Sequence, residues 1–96
     1  MSETLAVPTV KLDNARVRVT EWRFAPGART GHHRHEYVYV VVPLTTGSLT
    51  ATGAAGETTN ALRTGEPYYR EAGVEHDVRN ANPFEFTFIE IELKEV

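Results

Sequence analysis

The sequence contains no cysteine among its 96 residues. A disulfide framework, a thiol nucleophile and a thiolate metal site are therefore excluded, and any metal ion has to be held by nitrogen or oxygen ligands. The chain also lacks the run of about 20 apolar residues that a membrane-spanning helix needs, and its first residues do not read as a secretion signal. We therefore predict a cytoplasmic protein that makes no membrane contact.

Basic charge is also scarce. Ten Lys and Arg residues stand against 13 Asp and Glu residues, so the formal net charge is −3. Such a balance offers no positive surface for a phosphate backbone, and we expect no nucleic acid partner. A chain of 10.7 kDa is large enough for one hydrophobic core and too small for two. We expect a single domain over residues 1–96, with residues 1–8 as a loose lead-in.

Helix signals are missing throughout the chain. It holds 11 Val and 12 Thr residues, and turn residues recur every few positions, a pattern typical of short strands joined by tight turns. Strands are predicted over residues 16–24, 33–42, 48–52, 57–62, 68–70, 76–80 and 84–96. About eight short antiparallel strands indicate an all-β jelly-roll barrel or sandwich, and an up-and-down barrel is the alternative.

Two of the predicted strands show a one-residue slip in their apolar alternation. In the strand over 16–24 the apolar positions change parity near Thr20 and Glu21, and in the strand over 84–96 they change parity after Phe88. A β-bulge moves the following side chains to the other face of a sheet. We therefore predict a bulge in each of these strands.

The strands near the two ends of the chain carry apolar residues that an uncovered sheet edge would expose. These residues are Val10, Leu12, Ile91 and Leu93. Exposed edge strands are commonly covered by a second subunit. The sequence therefore predicts a homodimer, with these four residues as candidates for the contact.

Histidine clusters in one short segment. Three of the four histidines fall within positions 32–35. On a strand, His33 and His35 share one face with Cα atoms roughly 6.5–7 Å apart, so their rings can converge on one ion, whereas His32 faces the other way. His76 opens a separate β segment that antiparallel pairing can bring alongside. Because neutral imidazole is a common ligand of transition metals, His33, His35 and the more distant His76 are candidate metal ligands.

The spacing around these histidines resembles two sequence motifs of the cupin family. Gly27, the pair His33 and His35, and Gly47 fall at the offsets of the first motif. The second motif is matched by Gly65, Gly73, His76 and Asn80. The resemblance spans residues 26–80, and the run His-Arg-His-Glu-Tyr is similar to that of small cupins named for β-alanine degradation. The resemblance implies a single-domain cupin jelly roll whose metal ligands are His33, His35 and His76.

The chain departs from the first motif at its glutamate ligand. That position falls on Val40, or on Tyr39 with the shorter spacer, and neither side chain is a carboxylate. Some cupin dioxygenases hold Fe(II) with three histidines, and the resemblance implies that a site of this kind is formed here. We expect one divalent transition metal here (Fe, Ni, Mn, Co or Zn). Three neutral imidazoles leave its charge uncompensated, which favours a small anionic ligand.

A pocket next to the histidines is expected to receive that ligand. We predict that it is lined by Trp22, Val40, Val42, Tyr69, Phe86 and Phe88, with Tyr39 as the catalytic proton donor. If the protein is an enzyme, it is expected to be a metal-dependent oxidoreductase of the dioxygenase type that acts on a small organic acid. Two alternatives stay open: a binding module without turnover, and a metal-free isomerase or epimerase that uses a histidine and a tyrosine.

Overall fold

A computed structural model of the chain describes residues 4–94. Within that range every regular element is a β-strand, and nine strands are formed. Their bounds are β1 Val7–Asp13, β2 Val17–Phe24, β3 His33–Arg34, β4 Val38–Pro43, β5 Gly47–Gly53, β6 Gly56–Leu62, β7 Tyr68–Arg70, β8 Glu75–Asn80 and β9 Phe86–Leu93. The described residues thus include no helix that could cross a membrane.

The strands form two sheets. One sheet has five strands in the order β1-β2-β9-β4-β7, and the other has four in the order β3-β8-β5-β6. Every strand pair is antiparallel, and neighbours such as β2 and β9 are far apart in sequence, so the chain crosses between sheets repeatedly. This confirms the predicted all-β jelly-roll sandwich.

The hydrophobic core lies between the sheets, near the end of β2 and the start of β9. Phe24 and Phe86 are fully buried, and the Phe88 ring centroid lies 5.5 Å from that of Phe24. Leu49 and Val78 close the core from the four-stranded sheet. Each such side chain stabilises the fold by about 1.5–3 kcal/mol on burial. We call this tightly packed end the base of the sandwich.

Asn80 secures that base by binding the loops around it. It is completely buried, and its side-chain amide donates to the backbone carbonyls of Phe24 (3.2 Å), Ala25 (3.3 Å) and Phe84 (2.8 Å). Its Oδ1 accepts from the backbone N–H of Asn82 at 2.9 Å. The motif asparagine is therefore a structural residue that ties β2, β8 and the approach to β9 together.

Neither of the two predicted bulges is formed. β2 pairs with β9 without interruption from Val17 opposite Leu93 to Phe24 opposite Phe86. The irregularity lies instead in β1, between Val10 and Leu12. The parity of the apolar residues changes because the inward positions at one end of these strands are polar while the outward ones are apolar. The inward polar residues are Arg18, Thr20, Glu90 and Glu92.

The predicted strand over residues 33–42 is divided between the two sheets. His33–Arg34 belongs to the four-stranded sheet and Val38–Pro43 to the five-stranded one. Residues 35–37 carry the chain from one sheet to the other. In β4, Tyr39 and Val41 are buried, whereas Val40 lies on the opposite, outer face.

The described part of the predicted lead-in is not loose. The Ala6 N–H donates to the Arg29 carbonyl at 2.9 Å, and the Arg29 N–H donates to the Thr4 carbonyl at 3.0 Å. Val7 already begins β1. The expectation for residues 1–8 is therefore wrong for residues 4–8, and residues 1–3 lie outside the described range.

Candidate metal centre

The three predicted histidines meet at the end of the sandwich away from the phenylalanine core. His33 on β3 stands directly opposite His76 on β8. His35 follows β3, and two backbone hydrogen bonds hold it there: its N–H donates to Val74 at 2.9 Å and its carbonyl accepts from Gly73 at 2.8 Å. Gly73 has a φ of 91°, which favours glycine over any side chain. The tight turn before β8 thus positions two of the three rings.

Their Nε2 atoms converge. The Nε2 atoms of His33 and His35 are 3.0 Å apart, and those of His35 and His76 are 3.1 Å apart. One nitrogen from each of the three rings lies within 4.8 Å of the other two. His35 is 7% exposed, so the cluster sits inside the sandwich.

These distances are those that one metal ion requires. Imidazole nitrogens bind divalent transition metals at about 2.1 Å, so two of them at a right angle on one ion are about 3.0 Å apart. Three neutral imidazoles are also a donor set that Fe, Co, Ni and Zn accept. The side chains of this cluster therefore fit the predicted ion in both spacing and chemistry.

The ring tautomers agree with that fit. The His33 Nδ1 lies 2.9 Å from the Gly31 carbonyl oxygen, which only accepts, so Nδ1 carries the proton and Nε2 keeps its lone pair. On the far side of His35, Nδ1 faces a carboxylate oxygen of Glu90 at 3.9 Å. That neighbour favours a proton on Nδ1 and again leaves Nε2 as the ligand atom.

Burial keeps the cluster in the neutral form that metal ligation needs. Burial, and then the neighbouring His33 and His76, lowers the pKa of His35 to about 3. Burial, and then His33, lowers the pKa of His76 to about 4. Neither ring carries a proton charge near neutral pH.

Tyr39, rather than Val40, occupies the inner position that corresponds to the missing motif glutamate. Its ring stacks on His35 with a centroid distance of 3.9 Å and an interplanar angle of 18°. Burial, with Tyr68 next, raises the pKa of Tyr39 well above the ordinary phenol value. The hydroxyl therefore stays protonated and can donate a hydrogen bond beside the cluster.

Glu90 is a carboxylic acid in the site that the sequence analysis missed. It lies on β9 opposite Thr20 and Val41, is 8% exposed and contributes to the cavity wall. Burial, and then the charge of Glu92, raises its pKa to about 7. The sequence did contain a signal for it. Glu90 lies at an even spacing from Phe86 and Phe88, and an unbroken strand puts all three side chains on its inner face.

The indole of Trp22 is Glu90's neighbour on β2. Its Nε1 is buried and has no hydrogen-bond partner of ordinary geometry among the described residues. The indole N–H nevertheless stabilises the ionised carboxylate of Glu90, which opposes the rise in that group's pKa. A buried donor without a full partner is costly, so this end of the cavity is arranged for a polar contact.

A cavity of about 70 Å³ lies beside the histidines, between the two sheets. Of the predicted lining residues, Trp22, Tyr39 and Phe88 line it. Val40, Val42, Tyr69 and Phe86 do not. Val40, Val42 and Tyr69 face outward, because an alternating strand cannot place neighbours on one side, and Tyr69 is 50% exposed. Phe86 is buried in the core at the far end of the sandwich.

The structure adds polar side chains that the sequence analysis did not assign to the cavity. Tyr68 and Arg70 reach it from the edge strand β7, and Asn60 reaches it from β6. His32, by contrast, stands outside the cluster, with its Nε2 3.4 Å from an oxygen of Glu75. It is not among the three histidines whose ring nitrogens converge.

The fold and the histidine cluster define a small two-sheet β-sandwich protein with a candidate metal centre inside it. The profile of the cupin domain family matches residues 20–92. The chain belongs to the cupin family, which confirms the resemblance drawn from its motifs.

Three relatives support this assignment. The beta-alanine degradation protein BauB of Pseudomonas aeruginosa is 57% identical over 89 residues, which are 93% of this chain and 94% of that protein. A cupin domain from Bordetella pertussis Tohama I, solved by crystallography, has a TM-score of 0.96 at 53% identity and covers 99% of both chains. A Klebsiella pneumoniae protein with a double-stranded β-helix domain has a TM-score of 0.77 at 20% identity, with 98% of this chain and 81% of that chain covered, and shares the fold alone.

Proposed function

We propose that this cupin binds one divalent transition metal ion through His33, His35 and His76 and acts on a small anionic organic molecule. The observation that supports the proposal best is the convergence of the three Nε2 atoms at 3.0 and 3.1 Å inside the sandwich. No acidic side chain joins them in the cluster among the described residues. The ligand set is therefore neutral and leaves the ion's charge for an anionic ligand.

The proposed chemistry is oxidation of a small organic acid, of the dioxygenase type. A bound divalent ion would supply a Lewis acid that polarises an oxygen atom of the ligand. The chain's own groups would orient the molecule: Tyr39 donates a proton or a hydrogen bond from its hydroxyl, while Trp22 and Phe88 limit access of water. The name of the Pseudomonas relative, beta-alanine degradation protein, supports a short-chain acid as the substrate.

We further propose that the protein is a homodimer. The outer face of the five-stranded sheet is mostly apolar at its centre. Apart from Glu21, which stands opposite Ile89, the outward residues there are Val17, Val19, Val38, Val40, Val42, Ile89, Ile91 and Leu93. An antiparallel sheet that faces water carries polar residues outward. A second copy related by a two-fold axis presents the same apolar face and covers it. The cytoplasmic location and the single domain over residues 1–96 stay predictions.

Metal retention in two histidine variants tests the proposed site. The protein is loaded with Fe(II) or Zn(II), passed over a desalting column and analysed for bound metal. We expect about one ion per chain in the wild type and loss of tight retention in His76→Ala, because removal of one of three ligands lowers affinity by orders of magnitude.

The matched control is His32→Ala, which removes an exposed histidine next to the site and should retain metal as the wild type does. Equal retention in both variants, or a wild type that holds no stoichiometric metal, would contradict the site. Oxygen uptake by the Fe(II)-loaded protein with a panel of small acids then tests the reaction. Silence across the panel with metal in place would favour a binding module without turnover.

A further inference from the structure

Tyr68 and Arg70 form a polar corner of the cavity on the edge strand β7. They are two residues apart and so share one face of the strand. Arg70 stands opposite Tyr39, and Tyr68 stands opposite Val41. All four of these side chains line the cavity, so the corner opens onto the space beside the histidines.

Arg70 is held in place without a carboxylate. Its guanidinium lies over the Tyr68 ring at 4.5 Å from the centroid and donates to the Tyr69 carbonyl at 3.0 Å. Among the described residues no acidic side chain forms an ion pair with it. Because a guanidinium carries five N–H donors in a fixed plane, most of its donors are left for another acceptor.

The phenol groups next to Arg70 add further donors. Tyr39 is 3% exposed, and the hydroxyls of Tyr39 and Tyr68 form no hydrogen bond with another described residue. A phenol has a pKa of about 10, so both hydroxyls carry a proton at neutral pH and can donate it to an acceptor. The corner therefore offers one cation and two O–H donors, which is the complement of a carboxylate.

The volume of the cavity limits the size of the ligand. About 70 Å³ is room for about five water molecules, since each needs about 10–15 Å³ by this measure. Tyr39 stands between the corner and the cluster, paired with Arg70 on one side and stacked on His35 on the other. A ligand that reaches from the corner to the histidines has to span about one aromatic ring.

We propose that Arg70 and Tyr68 bind the carboxylate of a short-chain acid of three or four carbons, whose other end extends past Tyr39 toward the three histidines. The carboxylate subsite stands on its own geometry, while the orientation of the far end rests on the proposed metal site. The structure thereby assigns the recognition of the anion to β7 and the remaining chemistry to the histidine end.

Binding of propanoate and propanamide to the metal-free protein tests this subsite. The two probes have the same number of non-hydrogen atoms, and only propanoate is charged. Trp22 is the single tryptophan of the chain and lines the cavity, so its fluorescence reports binding. We expect propanoate to bind at least tenfold more tightly than propanamide. Equal affinity for the two probes would overturn the proposal.

Substitutions locate the subsite. Arg70→Gln should weaken propanoate binding at least tenfold, because it removes a charge-assisted hydrogen-bonding pair. Arg70→Lys should weaken propanoate binding less than Arg70→Gln does, because it keeps the positive charge. Tyr68→Phe should weaken propanoate binding severalfold, because it removes only the hydroxyl. The control is Arg79→Gln, which removes the same charge from an exposed position of β8 that lines neither the cavity nor the groove beside β7. Unchanged binding in Arg70→Gln, or an equal loss in Arg79→Gln, would overturn the assignment.

A Zn(II) titration of the same proteins separates this proposal from the proposed metal site. Arg70→Gln should bind Zn(II) as the wild type does. If the wild type binds no Zn(II) but selects propanoate through Arg70, the metal site fails and the subsite stands. If Zn(II) binds and propanoate shows no preference over propanamide, the subsite fails alone. If Arg70→Gln does not fold, two measurements still test the subsite: the affinity of Tyr68→Phe for propanoate, and the comparison of propanoate with propanamide on the wild type.

Discussion

A carboxyl group on the inner wall of the cavity makes the site sensitive to pH at the scale of single residues. Glu90 is buried beside His35, with Trp22 as its neighbour and few other polar partners. Desolvation disfavours its ionised form. The folded state therefore holds the Glu90 proton more tightly than the unfolded state, and it loses that contribution to stability as the carboxyl ionises.

Replacement of Glu90 by Gln should therefore stabilise the metal-free protein at neutral pH and above. The folded pKa of about 7 exceeds the ordinary value of 4.5, so the carboxyl's favourable contribution is complete below pH 4.5 and is lost as pH rises through 7. The free energy of unfolding of Glu90→Gln should exceed that of the wild type by an amount that grows across this pH range, to on the order of 3 kcal/mol.

Thermal unfolding between pH 4 and 8 in the presence of a chelator measures this difference. His35 and His76 act in the opposite direction, because their lowered pKa values make stability fall as pH drops below 6.5, but both are present in both proteins. The exposed Glu57→Gln serves as the control and should follow the wild type. A constant difference between Glu90→Gln and wild type at all pH values would contradict the ionisation of a buried carboxyl.

At the scale of elements, the register of β9 decides what the cavity contains. The same unbroken strand presents phenylalanines to the core at one end and carboxylates to the cavity at the other, while its outward positions from Ile89 onward are apolar. The apolar pattern alone suggests a bulge in such a strand, since polar inward residues look like outward ones. What resolves the ambiguity is pairing with β2 and β4 on both sides, which leaves no room for an extra residue.

The packing of these elements depends on the side chain of Asn80. Asn80→Ala leaves three backbone carbonyls without this donor and should lower the free energy of unfolding by about 3 kcal/mol or more. Urea unfolding measures this change. Asn60→Ala, on an exposed position of β6, should change stability by less than about 0.5 kcal/mol. If the two substitutions cost the same, the Asn80 side chain does not hold the loops together.

At the scale of the whole molecule, the apolar outer face of the five-stranded sheet predicts the oligomeric state. Ile91 lies on the central strand of that face, between Val19 and Val40. We expect the wild type to sediment at about twice the 10.7 kDa of one chain and Ile91→Glu to sediment as a monomer, because the dimer would bury an unpaired charge.

Thr52→Glu places the same charge on an exposed position of the other sheet and should leave the dimer intact. Far-ultraviolet circular dichroism checks that both variants fold. A wild type that is monomeric at every concentration, or a Thr52→Glu variant that dissociates as Ile91→Glu does, would contradict a contact through the apolar face.

The sequence by itself determined the fold class, the family and the three histidines. Strand-forming residues, turn spacing and fixed motif offsets are local properties that a single chain displays directly. The histidines were found because His33 and His35 lie two residues apart on one strand and His76 falls at a fixed motif offset from Gly73, and both of these spacings are local.

Only the tertiary structure decided which other side chains share the cavity. Glu90, Tyr68 and Arg70 lie on strands whose inward face depends on partners far away in sequence. Val40 and Tyr69 were predicted to line the pocket together with their strand neighbours, but they stand opposite each other in β4 and β7 on the outer face of the sheet. A side chain's face is set by strand pairing across the sheet, and that pairing exists only once the two sheets have closed on each other.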